Sequence, residues 1–481
     1  MPRAADSYYA ASRRYAVDAE ALRGARKAEV AIIGGGITGV SAALHLAERG
    51  VDVALLEARQ CGWGASGRSG GQILPGFAAD QRAVERWVGR EAARALWAHS
   101  AAAVAQTRAR IARHRIDCDW TPGYLHAAVK PGQARDLQRW AEHLRAHYDC
   151  AGWRYLDRRQ LREVLATSRY SGAVFDPHSG HLHPLNYCLG LAQAAQEAGA
   201  RLYQNSAVTG VESDGAGAAP ANPITVRTAA GAVTCAQVIY ACNAYLERLQ
   251  PRLAAAIMPV GTYIIATEPL PAETANALIA NRAAVADTNL VLDYYRLSAD
   301  HRMLFGGRVS YSARQPRRLA QSLRRRMLAV FPQLAGARID FAWGGLVAIT
   351  RNRAPHIGRL DSDAGAGRRW FAHGFSGHGM AMSGYAGGLL AAAVCGESRG
   401  LDGPGRPAHR QLPHQTPERR AENAPVPRAA KRRSAGQRRA QKSAVPTARR
   451  RQTAHPAAAP AGPGRAAAAA AIAAGKNPGA V

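Results

Sequence analysis

Residues 28–39 read Ala28-Glu29-Val30-Ala31-Ile32-Ile33-Gly34-Gly35-Gly36-Ile37-Thr38-Gly39, and this stretch decides the fold. Val30 to Ile33 is short, apolar and mostly β-branched, as a strand buried on both faces of a parallel sheet should be. Gly34, Gly36 and Gly39 then form G-x-G-x-x-G, between that strand and a helical pattern from Val40 to Arg49 closed by Gly50. Gly34 permits the tight turn, Gly36 lets backbone approach a pyrophosphate, and Gly39 lets helix and strand pack closely. The helix N-terminus adds unpaired N–H groups and a positive dipole end. A second apolar strand ends at Glu57, eighteen residues after Gly39, where a carboxylate can accept both ribose hydroxyls. That acid would repel a 2′-phosphate, so the expected ligand is an ADP-ribose unit without one, from NAD or FAD.

Working outward, Gly62-Trp63-Gly64-Ala65-Ser66-Gly67-Arg68-Ser69-Gly70-Gly71-Gln72 carries too much glycine for a helix or a strand interior. It reads as a loop whose backbone comes close to something flat or anionic, with Arg68 able to offset a phosphate charge. A cofactor lying that far along the sheet fits FAD better than NAD. Near the other end, strand Trp370 to His373 runs into Gly374-Phe375-Ser376-Gly377-His378-Gly379-Met380, and Ala381 to Val394 follows as a helix. This is a second glycine turn at a helix N-terminus.

Between these turns the pattern changes. Helices are expected over Ala79 to His114 (with Trp87, Leu96 and Trp97 in the core), Gln133 to His147, Arg158 to Leu165, Leu185 to Ala198 and Pro316 to Val330. Arg201 to Val211, Ile224 to Thr228 and Ala236 to Leu246 read as strands on the far side of the dinucleotide domain. Met258 to Thr267, Leu290 to Leu297, Met303 to Val309 and Arg338 to Trp343 alternate as antiparallel strands. The fold class is therefore α/β, a Rossmann-like domain interleaved with a mainly antiparallel substrate domain. The dinucleotide domain is assigned 28–78, 185–247 and 367–398, helical and substrate segments 79–184, and the antiparallel domain 248–366. The opening Ser7-Tyr8-Tyr9-Ala10-Ala11-Ser12 reads as a lead-in packed on a domain surface. Three histidines at 178, 181 and 183 lack metal-ligand spacing, so no metal is expected; an extended Gly180 to His183 would instead expose His181 or His183 to a cavity.

The formal charge of +29 is unevenly spread, with sixteen Lys plus Arg against three acids from Leu401 onward. That part, within the segment assigned 399–481, is rich in Ala, Pro and Arg and has no Phe, Trp or Tyr. It reads as a disordered tail. Without stacking aromatics among the basic residues, specific nucleic-acid binding is not expected. The seven cysteines form no paired framework, which points to a reducing compartment. The first 27 residues hold no signal-peptide apolar core, and Gly379 to Cys395 is too short and too rich in Gly and Ala to span a bilayer. A cytoplasmic location with no membrane partner is expected.

Together the G-x-G-x-x-G unit with Glu57, the Gly64–Gln72 loop and Gly374-Phe375-Ser376-Gly377-His378-Gly379 resemble the FAD-dependent D-amino-acid oxidase superfamily. Several stretches are similar to its γ-glutamylputrescine-oxidising branch. They are Ser7 to Ser12, Ile116-Asp117-Cys118-Asp119, Ser179 to Asn186, Asn243-Ala244-Tyr245-Leu246 and Leu292-Asp293-Tyr294-Tyr295-Arg296-Leu297. The resemblance implies FAD held by Gly34, Gly36, Ile37, Thr38, Gly39, Glu57, Ala58, Ala65, Ser66, Arg68, Gly71 and Gln72. Val208 and Ala241 would line the adenosine half, and Gly377, His378, Gly379 and Met380 the pyrimidine end of the ring. It also implies oxidative deamination of a small amine to aldehyde and ammonia, with oxygen reduced to hydrogen peroxide.

Two departures bear on substrate. Amino-acid oxidases of the superfamily place a carboxylate-clamping Arg where this chain has Val347, and sarcosine-oxidase-like members carry a Lys where it has Ala381. An α-carboxylate buried without a cation is costly, so an amine lacking one is favoured over an amino-acid or sarcosine-type substrate. No cysteine lies between Cys242 and Cys395, so the flavin is expected to be non-covalent. His183, Tyr294 and Arg296 are the candidate substrate contacts; by strand alternation Tyr295 faces away from Tyr294 and Arg296. A competing class is a non-catalytic flavoprotein tethered by its basic tail.

Overall fold

A computed structural model describes residues 7–213, 223–311, 316–360 and 367–397. The basic tail, its expected disorder and most of the Gly-Ala-Pro-rich link after Val211 fall outside the described residues.

The Val30–Ile33 strand is central because every residue in it is buried. It sits in a six-stranded sheet in the order 356–359, 369–373, 237–240, 30–33, 53–56, 201–203. The pairs are parallel except His356–Arg359 against Arg369–His373. Strand order reverses beside residues 30–33, and it is at the C-terminal ends of the strands at such a reversal that sheets of this kind bind ligands. Helix Ile37–Ala47 is buried along its whole length. It packs between helices Pro184–Glu197 and Met380–Val394. Each fully buried Leu or Val in this layer contributes about 1.5–3 kcal/mol relative to exposure.

The second layer is a nine-stranded sheet ordered 339–350, 257–267, 303–310, 294–297, 284–287, 121–128, 172–181, 72–73, with 154–157 also pairing 172–181. Leu125, Val285, Tyr295, Phe305 and Ile265 share one face and pack beneath helices Ala272–Leu278 and Leu319–Val330. The opposite face turns toward the cofactor layer. A four-stranded sheet of 24–27, 231–235, 224–228 and 208–213 completes the structure.

Several sequence expectations are corrected. Ala79 to His114 is two helices, Gln81–Val88 and Arg90–Arg113, because Gly89 adopts φ +82. Trp87 is consequently 47% exposed, whereas Trp97 is buried. Arg201 to Val211 divides into Arg201–Tyr203 and Val208–Ser213, in different sheets. The strand expected from Leu290 begins only at Tyr294, the strand from Arg338 extends to Thr350, and Ala284–Asp287 adds an unanticipated strand paired in parallel with Thr121–Ala128. Gln72–Ile73 belongs to the nine-stranded sheet and His356–Arg359 to the six-stranded one, each across the boundary expected for it. The lead-in is no surface segment either, since Tyr8 and Tyr9 are buried. Among the described residues no helix is long and apolar enough to cross a membrane.

Candidate active site

The turn after Val30–Ile33 has no room for side chains. A Cβ on Gly39 would stand 1.9 Å from Gly34 O, and one on Gly34, at φ +109, would stand 2.8 Å from Ala241 O. A Cβ on Gly36 would meet Ser66 Oγ at 2.9 Å, and Ile37 N donates to that same oxygen at 3.0 Å. Ser66 therefore stands at the N-terminus of helix Ile37–Ala47, where Gly36 offers no capping side chain. Glu57 closes the second strand. Its Oε2 accepts from Gly35 N at 2.7 Å and its Oε1 from Arg59 N at 2.9 Å. Burial pushes the Glu57 carboxyl up while these donors pull it back. The arrangement fits FAD: a side-chain-free cradle, a helix N-terminus for the pyrophosphate and an acid for the ribose. Thr38 is buried behind the turn, Ala241 beside it, Ala58 is exposed and Val208 half-buried.

The glycine-rich loop bridges the two layers. Arg68 lies over Trp63 at 4.6 Å and donates to Trp63 O at 2.7 Å and Gly344 O at 3.1 Å. Trp343 Nε1 donates to Arg68 O at 3.0 Å. Ala65–Gly67 forms a short 3-10 turn. A Cβ on Gly71 would lie 2.1 Å from Leu182 O. Ser69 Oγ donates to Met380 Sδ at 2.9 Å, joining the loop to the second glycine turn. In that turn Gly377 has φ +91, and His378 Nε2 bonds to Pro75 O at 3.0 Å.

Register across the nine-stranded sheet sets a row on its cofactor-layer face: His126, Ala286, Tyr294, Gly306, Ile264 and Trp343. Gly306 is small because the Tyr294 ring covers it; a Cβ there would lie 2.1 Å from that ring. Tyr124 lies on the same face as His126, two residues away. Burial, reinforced by His378, pushes the His126 imidazole down to about 4, and burial lowers His378 too. Burial raises Tyr124 and Tyr294. At neutral pH the row is thus uncharged, aromatic and hydrogen-bond capable. Tyr124 and His126 were not singled out from sequence; their alternation with Leu125 and Ala127, read beside the Pro122-Gly123 turn, carried the signal.

Of the expected substrate contacts, only Tyr294 belongs to this row, where it is half-buried. His183 is the N-cap of helix Pro184–Glu197, its Nδ1 accepting from Asn186 N at 3.1 Å and its Nε2 bonded to Ser12 Oγ at 3.1 Å. Burial pushes it down to about 3. His181 Nε2 bonds to Arg282 O at 2.9 Å. Arg296 is buried and donates to Gly70 O at 2.8 Å, Leu182 O at 2.9 Å, Leu297 O at 3.2 Å and Tyr9 Oη at 3.2 Å. The expected roles of His183 and Arg296 thus give way to a helix cap and an internal brace. Gln72 Nε2 donates to Val285 O at 3.1 Å. Tyr295 faces the opposite core, as alternation requires, and donates to Tyr170 Oη at 3.2 Å.

A sequence profile of the FAD dependent oxidoreductase (DAO) family matches residues 29–393. The γ-glutamylputrescine oxidoreductase of Escherichia coli is 40% identical over 409 residues, 85% of this chain and 92% of that protein. A probable oxidoreductase of Haemophilus influenzae is 39% identical over 400 residues, 82% of this chain and 89% of its own length. Among solved structures, glycine oxidase from Geobacillus kaustophilus superposes with a TM-score of 0.67 at 22% identity, covering 81% of this chain and all of that one, a likeness of fold.

Proposed function

The chain belongs to the family of FAD dependent oxidoreductases, and from that premise we propose that it oxidises a primary amine without an adjacent carboxylate, with γ-glutamylputrescine as substrate. The products are an aldehyde, ammonia and hydrogen peroxide. The observation that carries this reading is the uncharged row on the sheet face. His126, Tyr294, Gly306 and Trp343 offer no cation to an α-carboxylate, Val347 and Ala381 stand where the resemblance puts one in amino-acid and sarcosine-type oxidases, and Arg68 and Arg296 are bonded to backbone carbonyls. The γ-glutamylputrescine oxidoreductase of Escherichia coli, at 40% identity, supports the same substrate class.

Non-covalent FAD would be held by the N–H groups at the start of helix Ile37–Ala47 and by the Glu57 carboxylate. When bound it supplies the acceptor for the hydride of the amine-bearing carbon, with dioxygen as the final oxidant. The protein's part is orientation and desolvation. The Tyr294 ring face attracts an ammonium. The apolar surroundings of the Tyr294 ring, with Ala286 and Ile264 in the same row, lower the ammonium's pKa, so the substrate reacts as free amine. His126 and His378, held neutral, do not repel either form. The Gly377–Met380 backbone, at the start of helix Met380–Val394, offers N–H groups to developing negative charge.

Hydrogen peroxide release with γ-glutamylputrescine, putrescine, glycine and sarcosine tests the reading. Turnover is expected with γ-glutamylputrescine foremost; glycine or sarcosine as the better substrate would overturn it.

A further inference from the structure

The segment ahead of residue 29 lies outside the family match, yet Tyr9 has no exposed surface. From Ser7 to Leu22 the chain runs as a strap across both layers. Tyr8 Oη donates to Asp300 Oδ1 at 2.6 Å, Arg14 N to Asn186 Oδ1 at 2.9 Å, Arg14 Nη1 to Asp119 at 2.7 Å, and Leu22 N to Ser206 Oγ at 2.8 Å.

Tyr9 has a particular place in it. Its ring meets Trp343 edge-on at 5.2 Å, and the Arg296 guanidinium lies 5.8 Å from its centroid while donating to its hydroxyl at 3.2 Å. These two partners pin the glycine-rich loop, Trp343 through Arg68 O and Arg296 through Gly70 O. The buried Arg296 charge is met by carbonyl oxygens and by the Tyr9 ring. Loss of Tyr9 would loosen both pins at once.

We infer that the strap is part of the cofactor site and that Tyr9 is a positioning residue for FAD: it holds Trp343 and Arg296 together, and they fix the Arg68–Gly71 backbone. A cofactor cradle made of backbone needs such support, because a loop displaced by about 1 Å no longer matches its ligand.

The test uses the full chain loaded with FAD, comparing Tyr9→Ala, Tyr9→Phe, Arg296→Met and Arg296→Lys with Leu323→Ala. Leu323 lies in the core behind the antiparallel sheet, so its truncation reports lost stability alone. FAD affinity is read by fluorescence on dilution, alongside the visible flavin spectrum and melting temperature. Tyr9→Ala is expected to raise the FAD dissociation constant about tenfold and to perturb the visible band. Arg296→Lys should recover part of what Arg296→Met loses, and Leu323→Ala should melt earlier with the band unchanged. Unchanged FAD affinity and spectrum in Tyr9→Ala, or the same losses in Leu323→Ala, would overturn the inference. If Tyr9→Ala does not fold, Tyr9→Phe and Arg296→Lys decide on the same readouts. These concern cofactor binding, so an incorrect amine assignment leaves the result interpretable.

Discussion

The Gly34–Gly39 turn and the row from His126 to Trp343 are joined by one loop, yet the chain specifies them in different ways. The turn is local: six residues fix its geometry through four missing side chains, and Glu57 completes it. The row draws its members from six strands spread between residues 121 and 350, and only register puts them side by side. A local device tolerates no change at its few positions, whereas a row assembled over distance can change one member and keep its frame. This is how one cofactor cradle can serve different substrates.

The comparison breaks most severely at Gly39. In Gly39→Ala the new methyl would sit 1.9 Å from Gly34 O, a clash with backbone that cannot move aside. Overpacking here is expected to cost about 3 kcal/mol or more, seen as loss of bound FAD and of cooperative melting. Gly306→Ala should act on the row alone. Its methyl displaces the Tyr294 ring, and we expect kcat/KM for the amine to fall about tenfold, roughly 1.4 kcal/mol, with FAD content unchanged.

This contrast also decides what could be read from sequence. The glycine turn was legible because G-x-G-x-x-G, the flanking strand and Glu57 all lie within thirty residues. The row was not, because nothing near Tyr124 or His126 says that Tyr294 will be two strands away. Gly89 hid a break inside an apparently continuous helix, since glycine is compatible with a helical pattern and only its φ of +82 ends it. Arg296 and His183 were misleading for another reason. A charged or titratable residue beside a site resembles a substrate contact until its hydrogen bonds are known, and here backbone carbonyls and a helix N-terminus take them.

A gentler perturbation is pH. Burial lowers His45 and His126 to about 4 and His181 and His183 to about 3, below the ordinary imidazole value near 6.5. Depressed folded-state values mean that the unfolded chain takes up protons first as pH falls. Their contribution is therefore fully present above about 6.5 and is lost progressively down to about 3–4. Asp287, raised to about 6 by burial, opposes this in part. Melting temperature should fall from pH 7 to pH 5, and His45→Gln, remote from the row, should flatten that slope.

The smallest effect separates neighbours on one strand. Tyr295→Phe removes one buried hydrogen bond to Tyr170, expected to cost about 1 kcal/mol of stability with kcat and KM unchanged. Tyr294→Phe should instead alter turnover, since its hydroxyl lies on the face assigned to substrate.

The most direct measurement is the absorbance of the purified, FAD-loaded protein under anaerobic conditions, before and after adding γ-glutamylputrescine. Bleaching of the oxidised flavin bands by this amine, with none by glycine or sarcosine, is the result expected of an uncharged row with no carboxylate clamp. Flavin that stays oxidised with the amine but bleaches with an α-amino acid would contradict it.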